Sequence, residues 1–164
     1  MQQEYLDVID EHDIVQQTLS YDQVHITKKR HRIIHLMIQN SKGQILLQKR
    51  SSQKTSYPLH WSMSVGGHVQ TGETYDQAAV REAEEELGFV PTRMKELTKE
   101  AYIDAHGHSI IFTAFITTYD GAFTINKEEV EEIKFFSKEE IKHFMQTKKD
   151  MHPELLFLLD RMGM

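Results

Sequence analysis

Apolar side chains along this chain fall mostly in short runs of strand length and shift to a helical period in a few segments. The run RIIHLMIQN, the turn SKG with Gly43, and the run QILLQKR predict a β-hairpin. HWSMSVGG predicts another short strand that ends in the paired glycines Gly66 and Gly67. AYIDA and SIIFTAFITTY are rich in strand formers, and VEEIKFF alternates as a half-buried strand does. From Thr74 the pattern changes: Gln77 three residues on makes a capping box, and Gly88 marks a helix stop. Two further helices close the chain. One is expected from Ser137, where Glu140 completes a capping box, and one from about Pro153, with Leu155, Leu156, Leu158 and Leu159 as its apolar side. The order predicts an α/β fold, a mixed sheet with helices packed on it.

Composition narrows the class. A chain of 164 residues can bury a core without metals or disulfides, and no repeat or Pro/Gly/Ser-rich linker divides it, so one domain over residues 1–164 is expected. The net charge of -6 argues against general nucleic-acid binding, which calls for a clustered basic face. The absence of cysteine excludes disulfide scaffolds, thiolate zinc sites and cysteine nucleophiles. The N-terminal MQQEYLDVIDEHD has neither a basic start nor an apolar run, and no segment has the length of a membrane span; a cytoplasmic location is expected. Oligomeric state is not fixed by the sequence, which admits a homodimer.

The helix after Thr74 carries the chemistry. Glu82, Glu85 and Glu86 stand at i, i+3 and i+4, so three carboxylates share one face while Glu84 points elsewhere. Each like-charge pair at this spacing costs an isolated helix about 0.2–0.5 kcal/mol, so the face needs cations or open solvent. Oxygen donors of this kind suit hard cations such as Mg2+ or Mn2+. Ala78, one turn earlier, is expected to leave room for the ion, and Ala79, Ala83 and Leu87 to form the core-facing stripe. Arg81 is placed to hold Glu85 by a two-pronged contact, with Glu73 close by in the preceding loop. The loop GGHVQTG lets backbone groups approach a metal or phosphate closely.

This stretch resembles the Nudix box: Gly67, Glu73, Arg81, Glu82, Ala83, Glu85, Glu86, Gly88 and Phe89 fill its positions in register, with Ala83 and Phe89 loose at hydrophobic places. The resemblance implies an α/β/α sandwich that hydrolyses a nucleoside diphosphate linked to another group, using divalent cations. It implies Glu82, Glu85 and Glu86 as metal ligands, with the carbonyl of Gly66 as a further ligand. Water would be activated by one of the glutamates or by a base from a later loop. Arg81 would orient the carboxylates, Glu73 would brace Arg81, and Gly67 and His68 would face the substrate.

Beyond the box, LLQKRSSQKTSYPLHWSMSVGGHVQTGE and INKEEVEEIKFF are similar to the branch that includes type I isopentenyl diphosphate isomerase. That likeness implies diphosphate contacts for Arg50 and Lys54 and places His25, His31 and His68 at or near the isomerase's metal-binding histidines. It also implies a cysteine at the position of Gly66 and two glutamates where this chain reads HGHSII, and both are absent. With the carbon acid–base group missing and Glu82 retained, hydrolysis is expected rather than isomerisation. His25, His31, His68, His106 and His108 remain candidates for a second metal site. Trp61 reads as a core residue more than a stacking platform, and no role is assigned among Glu128, Glu129, Glu131 and Glu132.

Overall fold

The computed structural model describes residues 2–147 and 149–164. Its centre is β3 (His31–Gln39), the hydrophobic run of the expected hairpin. β3 is antiparallel to β4 (Ile45–Arg50) and parallel to β8 (Ser109–Thr118). The hairpin turn closes through Gly43, whose φ of 78° lies in the left-handed region that glycine enters without strain.

The segment HWSMSVGG is two strands rather than one. β5 (Trp61–Ser62) pairs with β4, whereas β6 (Val65–His68) pairs with β3. The cause is a fork in the hairpin, whose ladder holds only at Ile38↔Leu46 and Gln39↔Ile45. Ser64 sits at the fork, accepting from the Ile38 amide at 2.8 Å and donating to the Leu46 carbonyl at 2.5 Å. Its hydroxyl thereby satisfies two buried backbone groups that the parting strands leave open. β7 (Lys95–Ile103) and β9 (Val130–Phe136) complete a mixed sheet of seven strands, antiparallel to β8 and β4 respectively.

Alternation along β3 feeds two cores. Ile33 and Met37 pack with Leu155, Leu158 and Leu159 of α4 (Pro153–Arg161) and Ile141 of α3 (Lys138–Thr147). Ile34, Leu36 and Ile38 face the other way, onto Ala78, Ala79, Ala83 and Leu87 of α2 (Tyr75–Leu87). Each fully buried Ile or Leu in these layers contributes about 1.5–3 kcal/mol. The result is the expected α/β/α sandwich. Ala78 is fully buried in this second core, so it serves helix–sheet packing and does not leave room for an ion. Trp61 belongs to the first core, edge-on to Phe136 and Phe144.

Both capping boxes form: Thr74 and Gln77 open α2, and Ser137 and Glu140 exchange bonds of 2.7 and 3.1 Å ahead of α3. Gly88 ends α2 in the left-handed region. The N-terminal β1 (Tyr5–Ile9), β2 (Val15–Ser20) and α1 (Tyr21–Ile26) were not expected. β2 pairs only with β1 and is largely exposed, so it carries no alternating apolar signal. α1 is too short for one, and its capping box of Ser20 and Gln23 fixes it instead. This arm places Tyr21 and His25 beside the site.

Candidate active site

Arg81 organises the loop-to-helix corner. Its Nε and Nη2 donate to the two carboxylate oxygens of Glu73 at 2.6 and 3.0 Å, so the two-pronged contact is with Glu73 rather than Glu85. Nη1 reaches Glu82 at 2.7 Å and Glu85 at 3.2 Å, and Nη2 also donates to the His68 carbonyl at 2.9 Å. Glu73 in turn accepts the Gln70 amide at 2.9 Å. Ion pairing and these bonds, against the pull of burial, make Arg81 harder to deprotonate and hold Glu73 below the ordinary carboxylate range. Gly67 leaves the space that Glu82 occupies: a Cβ there would overlap the Glu82 carboxyl group.

The three helix glutamates meet different surroundings. Burial pushes Glu82 up to about 7 although Arg81 pulls the other way. Glu86 is 6% exposed; burial first, and the charge of Glu82 second, push it well above the carboxylate range. Gln48 of β4 donates to Glu86 at 2.6 Å and to the Ser64 carbonyl at 3.0 Å. Glu85 stands at the rim with its side chain 55% exposed. The shared face is therefore graded from a buried acid, through a half-neutralised one, to a solvated one. Two raised, desolvated carboxylates side by side fit a divalent cation, which would favour their ionised forms.

Gly66, Gly67, His68 and Glu86 line one cavity of about 340 Å³ with Arg50 and Lys54. Glu82 lies behind Gly67, and Glu85 outside the lining. Arg50 donates from Nε to the Ser56 carbonyl at 3.1 Å, and Lys54 pairs with Glu129 at 2.5 Å. Both cations thus face the cavity rather than solvating an outer surface. Glu129 lines it too, which singles it out within the acidic run left unassigned above.

A histidine group occupies the wall next to Gly67. His25, His31 and His68 each offer a nitrogen, and those atoms lie within 4.8 Å of one another. His25 and His31 donate from Nδ1 to the carbonyls of Tyr21 and Lys29, each at 2.9 Å, which leaves their Nε2 lone pairs free. Burial lowers His31 to about 4, His68 well below its usual range and His25 to a lesser degree, so the rings are neutral donors near pH 7. His108 joins at the edge, its ring 5.2 Å from that of His25 and its Nδ1 on Asp104 at 2.8 Å. His106 stands apart, against Tyr57.

Sequence reasoning missed Gln48, His35, His152 and Glu154, which also line the cavity. For His35 a signal existed: His31, Ile33 and His35 alternate on one strand and so share a face. Gln48 comes from β4, and His152 and Glu154 from the start of α4, and no local pattern ties them to the glycine loop.

A mixed sheet between helices, with an acid-bearing helix braced by arginine beside a glycine loop and a basic cavity, defines a class of phosphate-handling α/β proteins. Residues 29–156 match the NUDIX domain, and the chain belongs to the Nudix family of hydrolases. It is 37% identical over 111 residues to a Nudix hydrolase of Listeria monocytogenes, covering 68% of this chain and 66% of that protein. It is 32% identical over 138 residues to one of Yersinia pestis, covering 84% and 75%. A crystal structure of DR0079 from Deinococcus radiodurans superposes with a TM-score of 0.83 at 24% identity, covering 96% of this chain and 98% of that one. Among the described residues no helix is long and apolar enough to cross a membrane.

Proposed function

We propose that this chain hydrolyses a phosphoanhydride bond in a nucleoside diphosphate or a derivative of one, with Mg2+ or Mn2+ held by Glu82 and Glu86 and assisted by Glu85 and the Gly66 carbonyl. The observation that carries this reading is the pair of desolvated carboxylates, Glu82 and Glu86, beside a cavity that also presents Arg50 and Lys54. The cation supplies charge neutralisation of the diphosphate and a more acidic water when bound. Arg81, braced by Glu73, fixes Glu82 and Glu85 and ties them to the His68 backbone. Gly67 lets the glycine strand lie against Glu82. Arg50 and Lys54 receive the phosphates, with Lys54 exchanging Glu129 for the ligand. The convergent Nε2 atoms of His25 and His31, with His68, offer a second site that suits a transition metal.

The isomerase-like histidines favour a second reading, movement of a double bond in a prenyl diphosphate. It lacks a proton carrier: Gly66 stands where the thiol is required, and the chain has no cysteine. A panel of nucleoside triphosphates, nucleotide sugars, dinucleotides and prenyl diphosphates, incubated with Mg2+ or Mn2+ and followed by phosphorus NMR, separates the readings. Hydrolysis predicts new phosphate end groups. An intact diphosphate with a shifted double bond establishes the isomerase, and binding without turnover under either metal establishes a ligand-binding module.

A further inference from the structure

The cavity runs on from the glycine loop to a second polar group, built from β3 and the first turn of α4. His35 is 2% exposed, and its Nε2 lies 3.2 Å from Glu154 Oε2. That contact is close but poorly aligned, and among the described residues neither His35 nitrogen has a well-directed hydrogen bond. Glu154 is itself largely buried; burial would raise it, but His35 and His152 outweigh that and hold it below the ordinary carboxylate range. It is therefore an anion at neutral pH. Its other oxygen, Oε1, has no hydrogen bond among the described residues, and Glu154 lines the cavity.

His152 completes the group. It is 9% exposed, and its Nδ1 accepts the Glu154 amide at 3.2 Å as the cap of α4. Burial lowers it to about 4, so the ring is neutral and, with Nδ1 accepting, its hydrogen sits on Nε2. That donor also lacks a protein partner among the described residues and belongs to the cavity wall, with Tyr57 packed edge-on at 4.6 Å. Arg50 lines the same cavity and feels the charges of Glu86, Glu154 and Glu129.

An anionic acceptor and a neutral donor face one cavity, neither with a protein partner among the described residues, while His35 beside them has both nitrogens buried without a hydrogen bond; a ligand that brings hydroxyls and oxygens supplies the missing bonds. We infer that His35, His152 and Glu154 form a subsite for a polyhydroxylated group, the sugar of a sugar–diphosphate ligand: Glu154 accepts from its hydroxyls, His152 donates to an oxygen, and His35 holds Glu154 in place. A prenyl chain offers no hydrogen to Glu154 and would bury that charge unpaired, so it is excluded from this end of the cavity. A free phosphate suits Arg50 but is repelled by Glu154. The inference rests on the proposed phosphoanhydride reading for the diphosphate part of the ligand.

Calorimetric titration tests it without requiring turnover. With Mg2+ present, ADP-ribose, UDP-glucose, dimethylallyl diphosphate and inorganic pyrophosphate are bound to the wild-type chain, Glu154→Gln and His152→Asn. Asparagine keeps an N-cap acceptor while removing the imidazole donor. The wild-type chain is expected to bind at least one sugar diphosphate about tenfold more tightly than dimethylallyl diphosphate. Glu154→Gln is expected to weaken that sugar diphosphate about tenfold, and His152→Asn about threefold, with pyrophosphate affinity within about twofold of wild type. The inference is overturned if neither sugar diphosphate binds, if dimethylallyl diphosphate binds as well, if the variants leave sugar affinity unchanged, or if pyrophosphate weakens equally. Should Glu154→Gln fail to melt cooperatively, the His152→Asn result decides. Loss of hydrolysis in the wild-type chain with these affinities intact would remove the catalytic reading and leave the subsite standing.

Discussion

The two ends of the cavity are built from opposite materials. At the acidic end, Glu82 and Glu86 have their charges suppressed by burial, Glu86 further by the charge of Glu82, and Arg81 ties the group to its own loop through contacts within a short span of chain. At the far end, Glu154 keeps its charge chiefly through its contact with His35 of the central strand, while neutral His152 at the helix cap stands beside it. The first arrangement asks for a cation and the second for a hydrogen-bonding neutral group. One cavity can thus divide a ligand into a part handled by charge and a part chosen by directed bonds.

The sharpest break of this comparison is Glu86→Gln. The amide resembles the protonated acid that burial favours in the metal-free chain, so the melting temperature is expected to hold or rise. Turnover of the best substrate should fall by about a hundredfold or more, together with Mg2+ affinity. A variant that keeps full turnover would show that the cation does not depend on Glu86. Next in size is Gly67→Ala. The new methyl group meets the end of a flexible side chain, so Glu82 can swing aside and the fold is expected to lose only about 1–2 kcal/mol. Displacing Glu82 from Arg81 should still reduce turnover about tenfold, read against an unchanged circular dichroism spectrum. Equal losses of stability and activity would make Gly67 a packing residue alone.

The same contrast governs what was legible in the sequence. Glu73, Arg81, Glu82 and Glu86 lie on one loop and one helix, where spacing alone dictates who meets whom. Even there burial was hidden: nothing in the i, i+3, i+4 pattern shows that Glu85 reaches solvent while Glu86 is closed in by Gln48 of another strand. Ala78 teaches the same: a small residue that admits an ion and one that admits a sheet look alike in sequence, and only packing shows that it meets the sheet. The far end depends on the parallel pairing of β3 with β8 and on α4 docking against that face, contacts between distant segments that leave no periodic trace. The fork at Ser64, which splits one expected strand into two, is likewise a property of three strands at once.

Acid–base titration offers the smallest and most discriminating effect, because the two ends respond with opposite sign. Glu82 titrates near 7 in the folded chain against 4.5 for an ordinary glutamate, so the folded state binds the extra proton between those values. Its contribution is full below about pH 4.5 and is lost as pH rises through 7. His152 titrates near 4 against 6.5, so here the unfolded state binds the extra proton. Its contribution is full above about pH 6.5 and is lost as pH falls through 4. Each shift corresponds to at most about 3 kcal/mol. Chemical denaturation of the metal-free chain between pH 4 and 8 is therefore expected to show a shallower alkaline decline in Glu82→Gln and a shallower acid decline in His152→Asn. If His152→Asn changes stability equally at every pH, its ring serves only as a helix cap. If Glu82→Gln does so, the acidic end is more open to water than its burial implies, and the contrast between the two ends collapses.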